Sequence, residues 1–373
     1  MTDERFGKLV YLIHLLNIDG IGPLKIFSLL SKFHNPKDIF HTNISRLVEV
    51  EGINKNLSNR ILNSAHNILQ SKAKLEKTLS ALSKINGRII TYWDEDYPEL
   101  LRRIYYPPIL LYAIGEFSES DKNSIAIVGT RMPTNYGKQN AEMFAQDLAL
   151  NNITVVSGMA RGIDSTAHRA TLKSNGRTIA VIGSGLDVIY PPENKKLFEE
   201  ICENGAVISE YELGAKPDAQ NFPKRNRIIS GLCLGSLIVE TKLNGGAMQT
   251  AAYAIDQNRE VFAIPGNIDS KQSEGPNALI QRGEAKLVTK AEDILIELNL
   301  RIKPEIGKNI PRPSFDLTLF EQNLLNTLSN QPMHIDEIAT TSSMSVSDCL
   351  VNLLTLEFKG LVKQLPGKMF VKC

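Results

Sequence analysis

The sequence predicts an α/β fold, with an extended Rossmann-like, mostly parallel sheet as its core. An N-terminal helical domain precedes this core and a C-terminal winged helix follows it. Three observations carry the reading. Between residues 85 and 300, short apolar runs alternate with helical segments, as strands buried on both faces of a parallel sheet do. Residues 1–80 show helical apolar spacing throughout. Beyond a proline-rich linker at 301–313, residues 314–373 read as three helices and a hairpin.

The first helices rest on Leu9, Leu12, Ile13 and Leu16, then on Leu24, Phe27 and Leu30. Ile18-Asp19-Gly20-Ile21-Gly22-Pro23 lies between them, a tight glycine turn with a proline just inside the next helix. Val50-Glu51-Gly52-Ile53-Asn54 is a weaker echo. Such a turn resembles a helix-hairpin-helix (SAM-like) element, whose glycine amides can meet a phosphate. Because the second copy is degenerate, an ordinary helical hairpin is the preferred reading. The strand candidates that follow are Ile125-Val128, Thr154-Ser157, Thr178-Ile182, Ala206-Ser209, Ser236-Glu240, Val261-Ile264 and Lys286-Val288. Arg88 to Ile114 reads as an extended lead-in, with Pro107 and Pro108 arguing against a central strand. In the tail, helices are expected at Leu317-Leu328, Ile335-Thr340 and Val346-Phe358, and strands at Leu361-Gln364 and Lys368-Val371.

Composition suits a globular protein with a real core: 42% of the 373 residues are hydrophobic and 22% charged. No apolar run approaches the roughly 20 residues that span a bilayer, and the N-terminus does not read as a signal peptide, so a cytoplasmic protein without membrane contact is expected. Cys202, Cys233, Cys349 and Cys373 lack CxxC spacing and are expected to be reduced thiols, not a metal site. A net charge of +1 means that any nucleic-acid partner must be held by local positive charge.

Local chemistry gathers where the strands end. Gly129-Thr130-Arg131, Gly158-Met159-Ala160-Arg161-Gly162, Gly183-Ser184-Gly185, Thr241 to Gly246 and Pro265-Gly266 each follow a strand candidate. In a parallel sheet these ends share one edge, where glycine admits a ligand to the backbone and helix N-termini offer N–H groups to anions. Five such turns point to a phosphate-rich ligand. No Walker sequence occurs, Gly129 does not open a GxGxxG, and Gly183-Ser184-Gly185 has Val188 at the third glycine position, so no nucleotide cofactor is expected. The densest charge is Phe222-Pro223-Lys224-Arg225-Asn226-Arg227, cations beside an aromatic face, just before the helical run Ile228-Leu232. Arg131, Arg161 and Lys242 could extend a groove, whereas Glu210 or Glu212 could instead neutralise the cluster.

Catalytic constellations are poor. Asp164 and His168 read as a helix N-cap and an ordinary helix residue. Glu210 and Glu240 end two strands and could form an acid/base pair or orient arginines, and neither GxSxG nor HExxH occurs.

These stretches, with Tyr190-Pro191, Ile228-Ile229-Ser230-Gly231, Phe262 to Gly266 and Gly275-Pro276-Asn277, resemble the DNA-processing protein A family (DprA/Smf) across roughly residues 90–290. The resemblance implies a non-enzymatic, single-stranded DNA-binding protein of uptake and recombination that shields DNA and helps load the RecA recombinase. By matching motifs it makes Arg131, Phe222, Lys224, Arg225, Asn226 and Arg227 the DNA contacts. Gly129, Gly158, Gly183 and Gly245 would form the pocket floor, with Arg161 and Lys242 as further contacts. Where the family usually has a Ser-Gly-Ser-Leu-Ile-Thr-Ala type loop, this chain has Gly245-Gly246-Ala247-Met248-Gln249-Thr250-Ala251, losing two hydroxyls. A homodimer is implied too, with Ala278 to Leu300 as a Leu- and Ile-rich candidate surface.

The rival is an enzyme, a nucleotide-processing relative of the lysine-decarboxylase-like phosphoribohydrolases. Their glycine loop ends in a Glu where this chain has Tyr253. A pure adaptor working through the winged helix is a third reading. Its third helix contains Asp348 and Glu357 and no Lys or Arg, so protein contact or regulation is expected of it before DNA capture.

Overall fold

The computed structural model describes residues 2–298, 317–329, 331–359, 361–365 and 367–372. The expected linker, Cys373 and the last residues of the Ala278 to Leu300 segment lie outside them. The chain forms two compact units, Met1–Ile302 and Lys303–Cys373.

In the first unit, helices Asp3–Leu16 and Pro23–Phe33 flank the predicted glycine turn, with Pro23 at the start of the second helix. Gly20 has φ 88°, a left-handed conformation that side-chain-bearing residues avoid. The echo turn has the same geometry. Gly52 has φ 78°, and Ile53 N–H donates to the Val50 carbonyl as Ile21 N–H does to Ile18. The degenerate second copy is therefore a structural repeat of the first, which corrects the preference for a plain hairpin. Helix Ile68–Lys84 then leads into the sheet. Leu9, Leu12, Ile26 and Leu29 share one apolar core with Ile89, Tyr112, Leu197 and Val207, so the helical region and the sheet fold as one unit.

The sheet has nine strands: β1 Gly87–Thr91, β2 Leu110–Gly115, β3 Ser124–Val128, β4 Thr154–Ser157, β5 Thr178–Ile182, β6 Gly205–Ser209, β7 Gly235–Ile238, β8 Glu260–Ala263 and β9 Lys286–Leu287. Their order is β1-β2-β6-β5-β4-β3-β7-β8-β9. β3 to β9 pair in parallel, and β2 pairs antiparallel with both β1 and β6. The lead-in is thus two strands, and β2 is an interior one. Pro107 and Pro108 precede it, where they break no ladder hydrogen bond.

Helices cover both faces, and the fully buried strands β3 to β6 supply the core between them. From β3 the chain steps to β4, β5 and β6 in one direction. It then returns to β7 on the other side of β3 and proceeds to β8 and β9. The order therefore reverses between β3 and β7, and a crevice opens beyond their C-terminal ends. Of the Leu- and Ile-rich segment, Ile294 and Leu295 are buried in the sheet core and Ile296 is exposed.

In the second unit, helices Leu319–Thr327, Ile335–Ser342 and Val346–Phe358 pack with a sheet of β10 Met333–His334, β11 Val362–Leu365 and β12 Met369–Lys372, ordered β10-β12-β11. Leu324, Ile338, Leu353, Leu356 and Phe370 form its separate core. The winged helix is as expected, apart from the two-residue β10, which is too short to give a period. Among the described residues no helix is long and apolar enough to cross a membrane.

Candidate nucleic-acid interface

The crevice between the ends of β3 and β7 is a cleft of about 610 Å³. It is lined by Gly129, Thr130 and Arg131 after β3, by Thr241, Lys242, Asn244, Gly245 and Gly246 after β7, and by Phe222, Arg225 and Asn226. Gly158, Gly183 and Arg161 line an adjoining recess that shares Arg131, Tyr190 and Phe222. Four of the five loops expected on this edge converge on the cleft and its recess, and Pro265-Gly266 lines neither.

The linear cluster from Phe222 to Arg227 falls within a helix, Asn221–Gly231, which begins earlier than the predicted run. Helical periodicity distributes its side chains, and this sorts the expected contacts. Lys224 is exposed and makes no ion pair among the described residues. Arg225 turns inward with Ile228 and Ile229 and is only 4% exposed. Its guanidinium donates to the Gly158 carbonyl at 2.8 Å and to the Val181 carbonyl, while Nε has no partner. Arg227 forms a two-point pair with Glu210 at 2.7 and 2.8 Å, and Asn226 donates to the Gly246 carbonyl at 3.2 Å. Two of the three cations in the cluster are thus engaged by the protein itself. Outside it, Arg161 pairs with Glu193, whereas Arg131 and Lys242 are exposed and have no carboxylate partner among the described residues.

Arg131 lies over the half-buried Phe222 ring, 5.3 Å from its centre. Arg225 is 5.9 Å from the same centre, and the Tyr190 ring is 5.8 Å away. Tyr190 in turn carries Arg161 at 6.0 Å. The sequence alone placed Tyr190 in the resemblance but assigned it no role. It also missed Asn244, Gln249 and Thr250, cleft-lining polar residues whose only signal was their place in the glycine loop after β7.

The edge glycines are required by protein packing as well as by access. A Cβ on Gly158 would stand 2.3 Å from the Arg225 guanidinium, and one on Gly183 would stand 3.1 Å from the Phe222 ring. Gly245 is the N-cap of helix Gly246–Asp256, which no side chain caps, as the missing loop hydroxyls imply.

Beneath the Gly158–Gly162 loop lies a buried polar group of residues. Asp164 is not the N-cap, as the sequence suggested. Gly162 is, with φ 80°, and Asp164 sits buried in the first turn of helix Ile163–Lys173. Burial raises its pKa, opposed by the Arg225 charge and by the N–H groups of Ala160 and Gly158. Burial also lowers Arg225 to about 10. His168 is fully buried, with Nδ1 2.7 Å from the Thr178 hydroxyl, and burial pushes its pKa down to about 3. Glu240 accepts from the Thr134 amide and hydroxyl at 2.9 and 2.5 Å, and Glu210 is held by Arg227, so both strand-end carboxylates are engaged.

Fold and site define a doubly wound protein whose switch-point crevice carries free cations around an aromatic face. Family models match the chain in three consecutive regions. They are a SAM-like helix-hairpin-helix tandem at residues 12–67, the DNA recombination-mediator protein A domain at 88–299 and the DprA winged helix domain at 309–368. Protein Smf of Synechocystis is 34% identical, over 95% of this chain and 96% of that protein. DNA processing protein DprA of Streptococcus pneumoniae is 45% identical over 55% of this chain and 72% of its own length. The X-ray structure of the Streptococcus pneumoniae DprA superposes with a TM-score of 0.64 at 35% identity, covering 77% of this chain and 97% of that one. DprA of Helicobacter pylori, whose structure was described for its single-stranded DNA binding mode, gives 0.53 at 32% identity over 58% and 97%. The chain belongs to the DNA recombination-mediator protein A (DprA/Smf) family.

Proposed function

We propose that this protein is a cytoplasmic single-stranded DNA-binding protein of DNA uptake and recombination, acting as a homodimer and without catalysis. It shields the strand and helps to load the RecA recombinase. One observation carries the DNA reading: Arg131, Lys224 and Lys242, exposed and without carboxylate partners among the described residues, belong to the switch-point crevice or to the helix that lines it, with the Phe222 ring among them. Cations that neutralise phosphates and a ring that stacks on a base give sequence-tolerant binding to a strand whose base faces are open. The single-stranded DNA binding mode reported for the Helicobacter pylori relative supports the same ligand. The engaged state of Glu210 and Glu240 favours binding over hydrolysis.

The test is a titration of the full chain with single-stranded and blunt duplex DNA of one length at two salt concentrations. Tighter binding of the single strand, weakening with salt, is expected. Equal affinity for the duplex would remove the proposal. Release of a base from nucleoside monophosphates would establish the phosphoribohydrolase alternative in its place.

A further inference from the structure

The helix Val346–Phe358 occupies the place where a DNA-reading winged helix presents its recognition surface. Its inner face is ordinary core: Cys349, Leu353 and Leu356 are fully buried. Its outer face is not the polar surface that a solvated helix shows. Val346, Leu350 and Leu354, four residues apart in succession, are 40%, 37% and 53% exposed, and Val351 beside them is 67% exposed. Apolar side chains at this spacing form one continuous stripe along the helix. A contiguous apolar patch of this kind on a small domain marks a contact surface.

The charges around the stripe say what the partner must carry. No Lys or Arg occurs from Pro313 to Phe358, while the helix itself carries Asp348 and Glu357 and the helix Ile335–Ser342 before it carries the exposed Asp336 and Glu337. Asp348 is exposed on the helix itself, where it accepts from the Ser345 hydroxyl at 2.6 Å. Glu357 accepts the Gln364 amide at 3.0 Å, tying the end of the helix to the hairpin. Of the lysines that follow, Lys359 is 2.8 Å from the buried Glu321 and Lys372 donates to the Leu325 carbonyl, while Lys363 and Lys368 are exposed on the hairpin and not on the helix. Acids without a single cation on the stripe-bearing helix repel phosphate, which disfavours nucleic acid. They also disfavour a second copy laid helix to helix, because that would set the same acids against one another.

We propose that this face docks a basic amphipathic helix of a partner protein, whose apolar side lies on Val346, Leu350, Val351 and Leu354 and whose Lys or Arg flank meets Asp348 and Glu357. This is the helix-on-apolar-surface mode of recognition, with charge selecting partner and orientation.

The experiment places a photoreactive benzophenone side chain at Leu354 or, as a control, at Gln331, in the full chain expressed in its own host, and sequences the crosslinked peptides. The expected product from Leu354 is a segment with helical apolar spacing and flanking Lys or Arg, absent from the Gln331 control. Its yield should fall at least tenfold in Val351→Asp, whose exposed site keeps the fold intact by circular dichroism, and should fall with added salt. Crosslinks to a second copy of this chain, to nucleic acid or to a neutral or acidic segment would overturn the proposal. So would no crosslink above the control, or a yield indifferent to Val351→Asp in the folded variant.

Discussion

The Arg131 guanidinium stands 5.3 Å from the centre of the Phe222 ring, which couples a free cation of the crevice to its aromatic face. Arg131→Ala should weaken single-strand binding and lower the salt slope by roughly 0.7, the value of one phosphate contact. Phe222→Ala should cost about 1–3 kcal/mol if a base stacks on the ring. Because the ring also packs beside Gly183 and Tyr190, Phe222→Leu separates stacking from packing. Leucine should keep the melting temperature while still losing affinity. The double variant Arg131→Ala/Phe222→Ala should lose less than the sum, since each residue orients the other. Strict additivity, measured in one titration series, would mean that the two act separately.

Lys224 and Arg225 are neighbours in sequence but not in role. Lys224→Ala should reduce DNA affinity and leave thermal unfolding unchanged, because the side chain is exposed and unpaired among the described residues. Arg225→Ala should lower stability by about 2–4 kcal/mol, because it leaves the carbonyls of Gly158 and Val181 buried without their donor and Asp164 without its counter-charge. Affinity would then fall as a consequence of the disturbed loop. Calorimetry alongside titration decides between them, and a stable Arg225→Ala that binds weakly would restore Arg225 as a direct contact.

This pair shows what the sequence could and could not yield. The strand ends, their convergence and the winged helix were legible because apolar runs and glycine turns are local signals that a buried parallel sheet imposes. The division of labour inside Phe222 to Arg227 was not. The cluster reads as one basic patch until the helix is known to begin at Asn221, and only then does a 3.6-residue period send Arg225 inward. Arg227 could as well pair with a carboxylate as meet a ligand, and it pairs with Glu210. The interior β2 was not distinguished within the extended lead-in because Pro107-Pro108 stand just before it, and proline signals a break without saying on which side the strand lies.

His168 gives a pH dependence whose sign follows from burial. Its pKa is about 3 in the folded protein, against roughly 6.5 when unfolded. The unfolded chain therefore takes up a proton below about pH 6.5 while the folded chain does not. The stability that neutral His168 contributes is complete above that value and is lost as the pH falls toward 3. Between pH 6.5 and 5 the loss amounts to about 2 kcal/mol. Denaturant unfolding at pH 7 and 5 should show a steeper decline for the wild type than for His168→Asn, even if the variant starts less stable. Parallel declines would mean that His168 is protonated in the folded state.

The last expectation concerns the second unit. From Pro311 to Cys373 the chain has five cations against six acids, and the third helix has no cation. The structure reduces the positive charge on offer further, since Lys359 is held by Glu321 and Lys372 by the Leu325 carbonyl. Lys363 and Lys368 remain exposed on the hairpin, enough for weak phosphate contact but not for capture of a strand. The unit has its own core in Leu324, Ile338, Leu353 and Phe370, and Met1–Ile302 is compact without it. Deleting residues 311–373 should therefore leave a folded protein whose single-strand affinity stays within a few fold of the full chain, with the salt slope unchanged. A large loss of affinity, or a slope smaller by one or more phosphate contacts, would show that the hairpin lysines hold DNA after all.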